Sequence, residues 1–154
     1  MSEALAEIQR RSYAAATPAL KGSWPESQAL DAAGIADLLG RHRYCVLATS
    51  RRDARAHAAP VAFVLAHEAL WFATVNGLRL RNLRATSWAS LVVMEEEPHS
   101  ALTAEGPVVL HEDEAFARAF EPIRAAWLDR HGGEPSWAVA LAELRPRRVF
   151  SYSG

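Results

Sequence analysis

Strand-like runs joined by short polar turns predict a mainly β domain with a few helices, its strands closing or nearly closing into an antiparallel barrel. Three observations carry that prediction. Five apolar runs rich in strand-forming residues follow one another between residues 44 and 111. Only one helical pattern interrupts them, whereas a doubly wound sheet needs a helix after most strands. Hairpins in series leave exposed edges, and closure removes them.

Residues 1–30 read as an amino-terminal arm and residues 31–154 as the barrel domain. The arm begins with helical spacing at Leu5 and Ile8 and then passes Pro18, Gly22 and Pro25, a composition suited to lying on a surface. Asp31 stands where it would cap a helix ending near Gly40, with Ile35, Leu38 and Leu39 on one side. The first strand covers 44–49 (YCVLAT), turns through Ser50 to Asp53, and returns over 55–65 (RAHAAPVAFVL). Pro60 interrupts that return. A proline cannot donate to a ladder, so it is expected at a bulge, an edge or a ligand.

His67 and Glu68 make the next tight turn, and strands follow at 70–75, 88–95 and 101–111, the last with Gly106-Pro107 as a bulge or bend. Between the third and fourth strands a helix over 78–85 turns Leu80 and Leu83 inward and Arg81 and Arg84 outward. Asp113 and Glu114 open a helix bearing Phe116, Phe120, Ile123 and Trp127, which Gly132-Gly133 ends and Pro122 kinks or divides. Two strand-like segments, 137–144 and 147–152, flank Pro146.

With 154 residues, half of them apolar, the chain is long enough for one well-cored domain. A net charge of −1 gives no global basic field, so neither duplex nucleic acid nor an anionic membrane is an expected partner, and any anion site must be local. The single cysteine, Cys45, excludes an internal disulfide and fits a reducing compartment. Glu3 and Glu7 interrupt what would be a signal region, and no apolar run reaches membrane-spanning length, so a cytoplasmic protein is expected.

Most catalytic signatures are missing. The six histidines are scattered singly, without HExxH or HxH spacing, so no metal is expected. There is no GxSxG elbow, no strand-to-helix GxGxxG, and Cys45 sits in mid-strand as a small apolar residue. What stands out is LWFATVNGLRLRNL over 70–83, where a strand breaks at Asn76-Gly77 into a basic helix. Turn amides, the Thr74 hydroxyl and the guanidinium groups of Arg79 and Arg81 supply convergent donors of the kind a phosphate monoester requires.

The ordered series YCVLATS, RAHAAPVAFVL, LWFATVNGLRLRNL, WASLVVMEEE and ALTAEGPVVL resembles the flavin-binding split-barrel superfamily related to pyridoxamine 5′-phosphate oxidase. Ala58-Ala59-Pro60-Val61, Phe72-Ala73-Thr74, Arg79, Asn82-Leu83 and Glu105-Gly106 carry the likeness, which covers about half the chain. The resemblance implies a six-stranded antiparallel split β-barrel of the FMN-binding type, and a homodimer with cofactors in grooves between subunits. It places Thr74, Asn76 and Arg79 at the phosphate, Arg81 nearby, and His57, Pro60 and Val61 along the ring or ribityl chain. Val75 and Asn82 complete the candidate cofactor-binding set.

The chain also departs from the family's oxidases. Ala59 and Val64 stand where they carry an arginine and a lysine, so oxidation of pyridoxamine phosphate itself is not expected. Arg79 replaces a common lysine, exchanging a point charge for a planar fork. Gly77-Leu78 stands where a serine is usual. The expected function is an FMN-dependent oxidoreductase acting on an unidentified small molecule. One alternative is a deazaflavin-dependent reductase, with Arg51, Arg52, Arg55, Arg79, Arg81 and Arg84 as a basic rim for the cofactor's acidic tail. Another is a non-catalytic module that binds flavin or haem or only dimerises. Trp24, Trp88, Trp127 and Trp137 are more large aromatics than a small barrel readily buries, and either an interface or core packing accommodates them.

Overall fold

The computed structural model describes residues 2–154. Seven strands are formed among the described residues: β1 (Tyr44–Ser50), β2 (Ala56–Ala66), β3 (Ala69–Thr74), β4 (Trp88–Glu95), β5 (Ser100–Glu112), β6 (Ala140–Leu144) and β7 (Arg148–Ser153). The helices are α1 (Ser2–Ala14), α2 (Pro18–Ser23), α3 (Ala32–Arg41), α4 (Leu78–Thr86), α5 (Glu114–Phe120) and α6 (Arg124–His131). Strands run antiparallel in the order β4, β1, β2, β3, β6, β5, and β4–β5 pairing closes this ring of six. The expected split barrel is therefore present, with β7 as an added strand.

Strand length explains the addition. β5 has 13 residues and bonds β7 along Ser100 to Glu105, then β6 along Val108 to Glu112. The switch falls at Gly106-Pro107, where the strand runs on with an unbroken β4 register and therefore without a bulge. Glycine is needed there because the β6–β7 connection crosses close by: a Cβ on Gly106 would lie 2.1 Å from the Arg145 carbonyl oxygen.

Local chemistry accounts for the remaining joints. The Asp31 carboxylate accepts from the Gly34 amide at 2.8 Å, capping α3. His67 and Glu68 both adopt positive φ, the twist a two-residue hairpin requires. Pro122 divides α5 from α6 within a short 3₁₀ turn, and Gly132 ends α6 at φ +74°.

Two apolar clusters fill the molecule. Leu47, Phe63, Phe72, Leu91 and Leu102 occupy the barrel interior, while Val64, Trp71 and Leu141 on its outside pack under Phe120, Ile123 and Trp127. The amino-terminal segment differs from the surface arm expected. Leu5 and Ala6 of α1 join the barrel core, and Tyr13 is buried against Phe150. The reason is polar as well as apolar: Ser12 Oγ accepts from the Val149 amide at 3.0 Å, and Tyr13 donates to the Ser151 carbonyl at 2.9 Å. Side chains of α1 thus satisfy edge groups of β7 that a short arm composition conceals.

Candidate functional site

The barrel opens along one side of β2. Residues Ala56 to Ala62 pair with β1, whereas β3 pairs only with Phe63 to Ala66. One backbone edge of β2 is therefore free around Pro60. The strand continues through this proline, whose missing donor costs nothing at an edge. Arg79 Nη2 donates to the Pro60 carbonyl at 3.1 Å, so that carbonyl points away from β1. Alternation along the strand then directs the backbone groups of Ala58 and Ala62 to the same open side.

Arg79 sits on the first turn of α4, whose N-cap, Gly77, offers no side-chain acceptor. The first amides of that helix and the guanidinium together form a donor set. Burial pulls the Arg79 pKa below its ordinary value, against the influence of the neighbouring Cys45 thiol, yet an arginine keeps its charge. Burial likewise pushes Cys45 up to about 12, which leaves it an inert thiol at neutral pH. Among the described residues Arg79 forms no salt bridge, and its Nε is buried without a hydrogen-bond partner. His57 Nδ1 and Arg51 Nε are in the same condition. These three nitrogens lie on β2, α4 and the turn after β1, and a fourth, Arg124 Nε, lies on α6.

A cleft of about 790 Å³ lies between that turn and α4, lined by Arg51, Arg52, Asp53, Arg81, Asn82 and Arg84. Asp53 is paired with Arg55 and Arg84 with Glu112, while Arg51, Arg52 and Arg81 make no salt bridge among the described residues. The Arg55 and Arg84 pairs draw the Asp53 and Glu112 carboxyls below their usual range. The cleft is thus net cationic, and Arg55 is spent on its neighbour.

The candidate residues fall into two groups. Pro60, Arg79 and His57 lie along the open edge, and Arg81 and Asn82 line the cleft. Val75 and Asn76 are exposed between them, at the end of β3. Thr74 and Val61 are nearly fully buried: the Thr74 hydroxyl faces its own chain, 3.4 Å from the Val75 carbonyl, and Val61 packs in the barrel core. Asn82 donates to Thr49 Oγ1 at 3.0 Å and so tethers α4 to β1. No three His, Cys, Asp or Glu side chains converge as metal ligands among the described residues. No helix of the described residues is long and apolar enough to cross a membrane.

Beside the open edge the outer face of the sheet is almost uncharged. Register sets Val46 between Pro60 and Val92, and Ala48 between Ala58 and Ser90. Tyr44, Val46, Trp88 and Met94 are exposed there, Tyr44 and Met94 at 62%. Period-2 alternation carried this signal in YCVLATS and WASLVVME, but only the pairing of the strands merges them into one patch.

An FMN-binding protein related to pyridoxamine 5′-phosphate oxidase, from Nostoc punctiforme, superposes with a TM-score of 0.61 at 18% identity, over 77% of this chain and 82% of that one. An F420 reductase gives 0.59 at 23% identity, over 74% and 94%. HutZ, a haem storage protein of Vibrio cholerae, gives 0.59 at 19%, over 78% and 92%. At such identities these likenesses show the shared fold. No curated protein matches the sequence. A family model described as pyridoxamine 5′-phosphate oxidase matches residues 32–152, from α3 through β7, and the chain belongs to that family.

Proposed function

We propose that this protein is an FMN-dependent oxidoreductase that works as a homodimer on a small organic substrate. The observation that carries the reading is Arg79: a half-buried cation without an acidic partner, set against a free strand edge at the start of a helix. The phosphate would be held by Arg79 and the first amides of α4, and the ring's polar edge would meet the free backbone groups of Ala58 and Ala62. FMN supplies hydride-transfer chemistry when bound. The protein's part is to orient the cofactor, exclude water and fix the substrate, which requires no paired general acid and base.

The uncharged outer face of β2, β1 and β4 supports the dimer, since a second copy seated there would border the groove and cover Val46, Met94 and Trp88. Sedimentation of wild type and of Val46→Glu tests it, with a dimer expected for the first and a monomer for the second. A titration of the purified protein with FMN, followed by flavin absorbance, tests the cofactor. Micromolar binding is expected, and its absence would remove the reading.

A second reading is favoured by the arginine-lined cleft. A deazaflavin has an acidic tail, and Arg51, Arg52 and Arg81 are free to pair with several carboxylates. The fold's similarity to an F420 reductase supports the same reading. The two readings share Arg79 and separate at the cleft.

A further inference from the structure

At the far end of the open edge from the cationic cleft, beside Ala62, lies a cavity of about 300 Å³ walled by Tyr44, Trp137, Trp127, His131 and Arg43. Its aromatic content is unusual for a surface: Trp137 is 54% exposed and Tyr44 62%, while Trp127 forms a buried floor. Large aromatic surfaces left open around a concavity favour a flat, apolar ligand.

The charges at the rim narrow the ligand further. Glu134, on the rim, is paired with Arg124 at 3.0 Å. His131 Nε2 lies 3.0 Å from the Phe63 carbonyl, to which it donates, and burial, with Arg130 and Arg43 adding to it, draws its pKa below the ordinary value, so the ring is neutral at pH 7. Arg130 spends its guanidinium on the Leu39 and His42 carbonyls. Arg43 alone carries an unpaired charge into this cavity among the described residues.

We propose that this cavity is the substrate subsite and takes a planar aromatic carboxylate, its ring packed on Tyr44 and Trp137 and its carboxylate held by Arg43. The proposal rests on the flavin reading, because Ala62 ends the strand edge assigned to the flavin, which brings the bound ring next to the cofactor. It also explains why Trp137 remains outside the core that holds Trp71 and Trp127.

The test uses the full-length protein, with and without FMN, labelled with ¹⁵N at the tryptophan indoles; Trp137→Phe identifies the Trp137 signal. Three probes of similar size are titrated: 4-methylbenzoate, 4-methylbenzyl alcohol and 4-methylcyclohexanecarboxylate. The benzoate is expected to shift the Trp137 indole and to bind about tenfold more tightly than either the alcohol or the saturated acid. Arg43→Gln, a change at an exposed position, should abolish the preference for acid over alcohol and leave FMN binding intact. An unmoved Trp137 signal in FMN-loaded protein overturns the subsite, as does equal affinity for acid and alcohol. Absorbance reads FMN separately, so a protein that shifts Trp137 with benzoate but never takes up FMN overturns the substrate role through the cofactor.

Discussion

Arg79 Nη2 reaches the Pro60 carbonyl at 3.1 Å across the open side of β2. The bond joins the first turn of α4 to the strand edge and holds a charge at the mouth of the groove. Arg79→Ala should weaken FMN by about 1.5–3 kcal/mol, the worth of a charge-assisted bond. Arg79→Lys should recover part of that loss, because it restores charge without the planar fork. Calorimetric titration measures both, and unchanged affinity in the alanine variant would take Arg79 out of the site.

The cleft makes a different prediction. Replacing Arg51 and Arg81 together by alanine should cost a deazaflavin with an acidic tail about 1–2 kcal/mol, from exposed pairs worth up to about 1 kcal/mol each, and leave FMN nearly unaffected. The same difference should shrink as salt rises, since the pairs are screened within roughly 10 Å at 0.1 M. Competition titrations at two ionic strengths decide it. Equal losses for the two cofactors would mean that the cleft holds no tail.

The succession of strands along the chain, the Asp31 cap, the His67-Glu68 turn and the break at Pro122 were all legible, because each depends on residues adjacent in sequence. So was the basic turn at Asn76 to Arg81. The seventh strand outside the ring was not, since closure depends on which strands meet. Nor was the place of α1: Gln9, Ser12 and Tyr13 look like a solvated face until β7 supplies their partners. In the candidate site, Arg79 stood out from its own segment alone. The orphaned nitrogens of Arg51 and His57 appear only when β1, β2 and α4 come together.

Gly106→Ala should be among the most damaging single changes. Its Cβ would meet backbone, not a flexible side chain, and that backbone is pinned by Arg145 N–H on the Pro107 carbonyl at 3.0 Å and Arg147 N–H on the Glu105 carbonyl at 2.8 Å. Relieving the clash would break one or both bonds, so a loss of about 2–4 kcal/mol in unfolding free energy is expected. Urea denaturation provides the number, and a loss below about 1 kcal/mol would show that the crossing can relax.

Tyr13 ties α1 to the edge of β7, and its removal can be read in two ways at once. Tyr13→Phe leaves the Ser151 carbonyl without its 2.9 Å partner, at a cost of about 1–3 kcal/mol near neutral pH. Burial raises the phenol above its ordinary value of 10.0. Over the interval between the unfolded and folded values the unfolded chain has released this proton and the folded chain retains it, so wild-type stability falls as pH rises above about 10. The phenylalanine variant has no such proton to release. Its unfolding free energy should therefore decline less steeply between pH 9 and about 11, since contributions common to the two proteins cancel in the comparison. Parallel urea denaturation of the two proteins across that range supplies both readouts. A stability gap that stays constant with pH would place the Tyr13 hydroxyl in water, and α1 would then hold β7 by apolar packing alone.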